Sequence, residues 1–186
     1  MRTAYIGMGS NVASWAGPPA ATMAAAADRL GSLGRVVSRS SLYSTEPVGF
    51  AAQPRFVNAV VQLETELEPQ QLLDGLLRIE HEFGRDRAAS VPNGPRTLDL
   101  DILLLGDLTV NEPELDIPHP RLADRAFVLI PLAQIAPLLL VPGHHKTVVQ
   151  LLRNLPANPE SKSDASDAVV PFEDDSWSAG ACRGGA

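Results

Sequence analysis

Hydrophobic and polar positions divide the chain into alternating and helical stretches in a readable order. Residues 3–8 form a short apolar run ending in Gly9-Ser10-Asn11, the mark of a strand feeding a tight turn. Residues 20–33 are alanine-rich and followed by Gly34, which predicts a helix and its stop. Residues 36–45 alternate loosely as a second strand, and the Pro- and Gly-containing stretch 45–54 reads as a loop. From Phe56 to Thr65 the alternation is clean, with Val57, Ala59, Val61 and Leu63 on one face and Phe56 and Asn58 on the other. Residues 69–83 carry Leu72, Leu76, Ile79 and Phe83 in one stripe, with Pro69 in the first turn and Gly84 as the stop, which predicts a second helix. Leu98, Leu100 and Ile102 then alternate with Thr97, Asp99 and Asp101 before a triple leucine finish, which predicts a central strand. A helix beginning near Arg125, with Pro131 in its first turns, a short strand at 138–141 and an amphipathic helix at 147–155 complete the pattern.

The order β-α-β-β-α-β predicts an α+β fold of the ferredoxin-like plan, an antiparallel sheet with helices packed on one face. Helical additions after residue 119 would cover the other face and make a three-layer α/β/α sandwich. Residues 1–156 read as a single domain, since 186 residues with 45% hydrophobic composition can bury one sizeable core. From residue 157 onward Pro, Asn, Ser, Asp and Gly dominate with almost no apolar period, and 157–186 reads as an acidic disordered tail.

Charge sharpens this division. The formal net charge is −7, which argues against general nucleic-acid binding. Six acids against Lys162 and Arg183 place −4 of it in residues 157–186, leaving the preceding part nearly balanced at −3. A single cysteine, Cys182, excludes an internal disulfide framework. The chain enters a strand pattern without a secretory apolar region, and its longest apolar run is cut by Pro131 and Pro137, so a cytoplasmic protein without a membrane span is expected.

The chemistry gathers around one strand. Alternation puts Asp99 and Asp101 on the same face, one pleat apart. Two carboxylates held that close repel, and two hard cations such as Mg²⁺, about 3.5–4 Å apart, would relieve the repulsion. The bland alternative is an edge strand with a solvated polar face. Arg85 and Arg87 open a loop of small residues that runs through Arg96 into this strand, and arginine forks match phosphate oxygens. A nucleotide polyphosphate site follows from that continuity. Glu80 lies near a helix C-terminus, where acids are electrostatically unfavourable, which leaves three readings: a ligand donor as partner, a nearby arginine as partner, or simple surface exposure. Phe56 beside Asn58 could stack on and hydrogen-bond a flat heterocycle, although these two residues alone favour a partly buried Phe and a turn-capping Asn. His119, held between Pro118 and Pro120, is rigidly presented.

The motifs Gly9-Ser10-Asn11, Tyr43-x-Thr45-x-Pro47-x-Gly49, Gln53-Pro54-x-Phe56-x-Asn58, Arg78-Ile79-Glu80 with Gly84-Arg85, Gly94 to Asp101, and Pro118-His119 with Arg125-x-Phe127 occur in an order that resembles the 6-hydroxymethyl-7,8-dihydropterin pyrophosphokinase family. The resemblance spans about residues 3–155 and implies a ferredoxin-like fold, two Mg²⁺ ions, and ATP and 6-hydroxymethyl-7,8-dihydropterin as substrates of a monomeric enzyme. It implies that Asp99 and Asp101 hold the metals. Arg85, Arg96, Arg125, His119 and Arg87 would meet the phosphates, with Glu80 and Ile102 near the nucleotide. The pterin would lie between Phe56 and Phe127, its edge bonded by Asn58, Thr45 and backbone near Pro47 and Val48. Phe56 stands where relatives often carry Tyr, and Pro92-Asn93 where some carry Arg-Trp. Two other classes share single features: a nucleotidyltransferase shares the Asp-x-Asp strand, and a non-catalytic ligand-binding module shares the sheet.

Overall fold

The computed structural model describes residues 1–47, 52–87, 94–155, 169–177 and 180–181. Among them an antiparallel sheet is built on β1 (Arg2–Ser10) and β4 (Phe56–Thr65), paired from Arg2 opposite Thr65 to Ser10 opposite Val57. β1 also pairs with β5 (Asp99–Leu105), with a register shift between Tyr5 and Ile6. The far edge of β4 is shared by two short strands, β2 (Arg35–Arg39) beside its C-terminal half and β3 (Leu42–Thr45) beside its N-terminal half. The single strand expected over 36–45 is therefore broken at Ser40-Ser41. Ser40 is fully buried at the break, where its backbone N–H donates to the Val60 carbonyl and its Oγ accepts from the Val60 N–H.

Both faces of the sheet are covered, because alternate residues of β1 enter two separate apolar clusters. Ala4, Ile6 and Met8 pack with Met23, Ala26 and Ala27 of α1 (Pro19–Arg29) and Leu72, Leu76 and Ile79 of α2 (Pro69–Glu82). Tyr5, on the opposite face, packs with Leu129 and Leu132 of α3 (Ala126–Ile135) and Val148 and Leu151 of α4 (Val148–Arg153). α2 has the strongest local signals: Pro69 in its first turn and a capping box between Glu68 and Gln71. Each of its fully buried leucines contributes roughly 1.5–3 kcal/mol. Two small hairpins sit outside the sheet, β6 (Val110–Glu112) with β7 (Leu115–Ile117) and β8 (Leu140–Val141) with β9 (Lys146–Thr147).

Two expectations are corrected. Among the described residues β5 is an edge strand, paired on one side only, and not a central one. Its leucine richness comes instead from the two clusters: Leu100 and Ile102 serve one, and Leu104 with Leu103, the residue skipped at the register shift, serve the other. The region after 157 is also not wholly without regular structure. β10 (Val169–Phe172) pairs with β3, β11 (Gly180–Ala181) pairs with β2, and Trp177 is buried in the α1–α2 cluster. Spaced turn residues hid these short strands from a periodicity argument.

Candidate active site

The site grows from the exposed edge of β5. Asp99 lies opposite Gly9 and Asp101 opposite Gly7 on β1, and Gly9 in turn lies opposite Asn58 on β4. Asn58, Gly9 and Asp99 thus form one row across the sheet. A Cβ on Gly9 would come within 3.1 Å of Asn58 Oδ1 and 3.9 Å of Asp99 Cβ, so the glycine keeps the floor between them open. The sequence marks Gly9 as a close backbone approach to a neighbouring strand or a ligand, and the pairing of three strands supplies the groups that approach it.

Cations converge on Asp99. Arg96 Nη1 lies 3.2 Å from Asp99 Oδ2 and Arg85 Nη2 lies 3.7 Å from Asp99 Oδ1. The buried Nε atoms of Arg85 and Arg96, with Thr97 Oγ1, have no hydrogen-bond partner among the described residues. Buried donors without acceptors are what an anionic ligand would satisfy. Burial lowers the pKa of Arg85, with Arg96 and Arg87 adding to the effect against the opposing charges of Asp99 and Glu80. Asn11, whose role the sequence pattern alone does not reveal, fixes Arg96. Its Oδ1 accepts the Arg96 N–H at 2.8 Å, and its own backbone N–H donates to the Arg96 carbonyl at 3.1 Å. Its Nδ2 also donates to Gln53 Oε1 and the Pro54 carbonyl, tying Arg96 to the approach to Phe56.

Asp101 has a different environment. Burial, then the charges of Asp99 and Glu80, raise its carboxyl to about 6, against the lowering influence of Arg125 and Arg87. A close carboxylate pair held this way favours a cation between or beside its members. No group of three or more His, Cys, Asp or Glu side chains among the described residues could hold a metal. Two hard oxygen donors alone suit Mg²⁺, which keeps several waters and takes its remaining ligands from substrate phosphates.

Glu80 finds its partners inside the protein. It is 1% exposed, accepts the Leu100 N–H at 2.8 Å from the free edge of β5, and receives a two-pronged contact from Arg87 at 2.7 and 2.8 Å. Of the alternatives the charge argument left open, a nearby arginine is the partner seen here, and simple surface exposure is ruled out by burial. The same edge draws in the 119 region, whose His119 N–H donates to the Leu103 carbonyl at 3.0 Å. His119 Nδ1 accepts the Arg121 N–H, and burial with the charges of Arg125 and Arg121 lowers its pKa. Arg125 is lowered as well, first by burial and then by Arg121. A cleft of about 450 Å³ opens at the C-terminal end of α2, lined by Leu77, Glu80, His81, Gly84, Arg85, Asp86 and Arg87. It adjoins the carboxylate face through Arg85 and does not include Asp99 or Asp101.

At the other end of the row, Asn58 Nδ2 donates to Thr45 Oγ1 at 2.7 Å, both groups being buried. Phe56 is 8% exposed and the Arg96 guanidinium lies over its ring, 4.9 Å from the centroid. Arg125 lies over Phe127 in the same way at 5.5 Å. Each aromatic therefore already carries one of the site's arginines on its ring. Ile102 stands apart: it is buried with Leu100 in the α1–α2 cluster, on the face away from the two aspartates. Pro47 ends a described segment, while Val48 and residues 88–93 lie outside the described residues.

A carboxylate pair ringed by arginines at the edge of an antiparallel sheet has the chemistry for a metal-associated polyphosphate, the class of a nucleotide-dependent phosphoryl-transfer enzyme. The sequence pattern of the 7,8-dihydro-6-hydroxymethylpterin-pyrophosphokinase family matches residues 5–137, and the chain belongs to that family. A 2-amino-4-hydroxy-6-hydroxymethyldihydropteridine pyrophosphokinase of Pseudomonas aeruginosa is 48% identical over 144 residues, covering 76% of this chain and 85% of that one. The Methylorubrum extorquens protein of the same name is 42% identical over 157 residues, covering 83% of this chain and 94% of that one. Among solved structures, the Plasmodium falciparum HPPK-DHPS wild type superposes with a TM-score of 0.65 over 82% of this chain and 44% of that longer chain. At 15% identity that likeness speaks to the fold alone.

Proposed function

We infer that this protein transfers a pyrophosphoryl group from ATP to the hydroxymethyl oxygen of 6-hydroxymethyl-7,8-dihydropterin, giving the pterin diphosphate and AMP in folate biosynthesis. The observation that carries this reading is the convergence of Arg85 and Arg96 on the Asp99–Asp101 strand in a chain of this family. We read the sheet core as ferredoxin-like and three-layered; the strand order β2-β4-β1-β5, with two helices packed on each face, supports it.

In the reaction, the pterin hydroxymethyl oxygen forms a bond to the β-phosphorus while the bond from that phosphorus to the α–β bridging oxygen breaks, and AMP departs. The hydroxyl proton is released. Asp99 and Asp101 would hold two Mg²⁺ ions against the phosphates, which supplies charge neutralisation when bound. Arg85, Arg96, Arg87, Arg125 and His119 would orient the polyphosphate and oppose its charge, so that catalysis is positioning and electrostatics. Phe56 and Phe127 would hold the pterin plane once Arg96 and Arg125 turn from the rings to the phosphates. Asn58 and Thr45, with backbone near Pro47 and Val48, would bond its edge. Glu80 would fix Arg87 beside the nucleotide, and Ile102 would back the base from the core.

The direct test incubates the protein with MgATP and the pterin and separates the nucleotides. Pterin-dependent AMP is the expected product; pterin-dependent ADP without AMP would overturn the reading.

A further inference from the structure

Beyond the stretch matched to the family, the chain returns to the sheet. β10 runs antiparallel to β3 with Val169 opposite Thr45, Val170 opposite Ser44, Pro171 opposite Tyr43 and Phe172 opposite Leu42. On its other side β3 faces β4 with only Tyr43, Ser44 and Thr45 in register. β10 thus supplies the longer of the two pairings that hold β3, and without it this four-residue strand would be a free edge. Thr45, the last residue of β3, accepts a hydrogen bond from the Asn58 side chain at 2.7 Å and stands two residues before Pro47.

Trp177 anchors the returning segment. It is 9% exposed and belongs to the α1–α2 cluster. Its indole N–H donates at 2.8 Å to the carbonyl of Ser40, the buried residue at the break between β2 and β3. The Arg39 guanidinium lies 5.5 Å from its ring centroid while pairing with Asp28 of α1. Removing Trp177 would leave a cavity and strip the Ser40 carbonyl of this donor at the point where β3 begins. Residues 169–177 therefore hold β3 from Leu42, opposite Phe172, to Thr45, opposite Val169, and fix the preceding break at Ser40 through Trp177.

We propose that the C-terminal segment formed by β10 and Trp177 is a positioning element for the pterin end of the site, holding β3 so that Thr45 meets Asn58. This rests on the reading that Thr45 and Asn58 bond the pterin edge. The aspartates of the phosphate end lie on β5, two strands away across β4 and β1, and of its arginines Arg96 reaches back as far as the Phe56 ring on β4. The segment should thus act on one substrate and not on the other.

The experiment compares the full chain with Asn58→Ala, Trp177→Phe and a chain ending at Ala168, measuring KM for the pterin, KM for ATP, and hydrogen exchange of the β3 amides. Asn58→Ala should raise the pterin KM about tenfold, the scale of one buried hydrogen bond. The shortened chain should raise it by a similar factor with KM for ATP unchanged, and β3 amides should exchange faster. Trp177→Phe, which keeps most of the packing but removes the donor, should shift the same constant in the same direction by less, and it decides the matter if the shortened chain does not fold. An unchanged pterin KM in both segment variants, or equal rises in both KM values, would overturn the proposal while leaving the site reading intact. An unchanged pterin KM in Asn58→Ala would overturn both.

Discussion

At Asp101, burial and the charge of Asp99 act in the same direction, holding the carboxyl at about 6 against an ordinary 3.8. The sign of the linked stability follows. Between these two values the folded state binds a proton that the unfolded chain has released, so the stability it confers is present below the lower value and lost as pH rises through about 6. At neutral pH the unliganded protein therefore carries an ionised carboxylate at a cost on the order of 2 kcal/mol. Asp101→Asn removes that cost. With Mg²⁺ chelated at pH 7.5, the variant should melt roughly 4–8 °C above the parent, and the gap should close as pH falls toward 4. On the proposed reading that Asp101 helps hold the metal, its turnover should fall by about 10²-fold or more. A variant as active as the parent at saturating Mg²⁺, or one melting lower at pH 7.5, would contradict this account. The pair itself was legible, since strict alternation places Asp99 and Asp101 together. A close approach at Gly9 was legible too, but not the groups that make it, because Asn58 and Asp99 arrive from strands tens of residues away.

Among the elements, α2 and β4 were readable almost to their ends because stripe, cap and alternation agree, whereas β5 was assigned correctly as a strand and wrongly as a central one. Apolar residues record that a strand is covered on its faces and say little about its hydrogen-bonding edges. The free edge is what the site uses: Glu80 takes the Leu100 N–H and the Leu103 carbonyl takes the His119 N–H. Glu80 links three elements, namely α2, β5 and the Arg87 turn, through one buried carboxylate. Glu80→Ala should leave the Leu100 N–H without a buried acceptor and release Arg87, costing about 2–4 kcal/mol. Half-exposed Arg87 contributes the smaller share of this. Glu80→Gln, which retains an acceptor, should cost about half as much. Urea unfolding read by circular dichroism would show both as falls in the midpoint at unchanged m-value. A Glu80→Ala midpoint within error of the parent would remove Glu80 from this linking role.

For the molecule as a whole, charge is distributed so that an acidic protein presents a cationic site. Arg85, Arg87, Arg96 and Arg125 gather about two aspartates in a chain of formal charge −7, and the ring faces of Phe56 and Phe127 already carry Arg96 and Arg125. Such a site should bind polyphosphate and metal together and neither well alone. Without the metal, the aspartates oppose the phosphates; without the phosphates, two carboxylates offer Mg²⁺ too few ligands. The product-forming step breaks the bond between the β-phosphorus and the α–β bridging oxygen, so a nucleotide with a methylene group at that bridge would bind without reacting. A ligand that binds only the folded state stabilises it by about 2.7 kcal/mol at a hundred times its dissociation constant. For a chain of this length that corresponds to a rise in melting temperature of roughly 5–10 °C. The expected result is therefore a large shift with α,β-methylene-ATP and Mg²⁺ together and little with either alone. The shift should shrink as ionic strength rises, since phosphate–arginine pairing is screened. Addition of the pterin should extend it further in the full chain. A shift of equal size with the nucleotide in excess chelator would show that the aspartates hold no metal for it, and the Asp99–Asp101 reading would have to be abandoned.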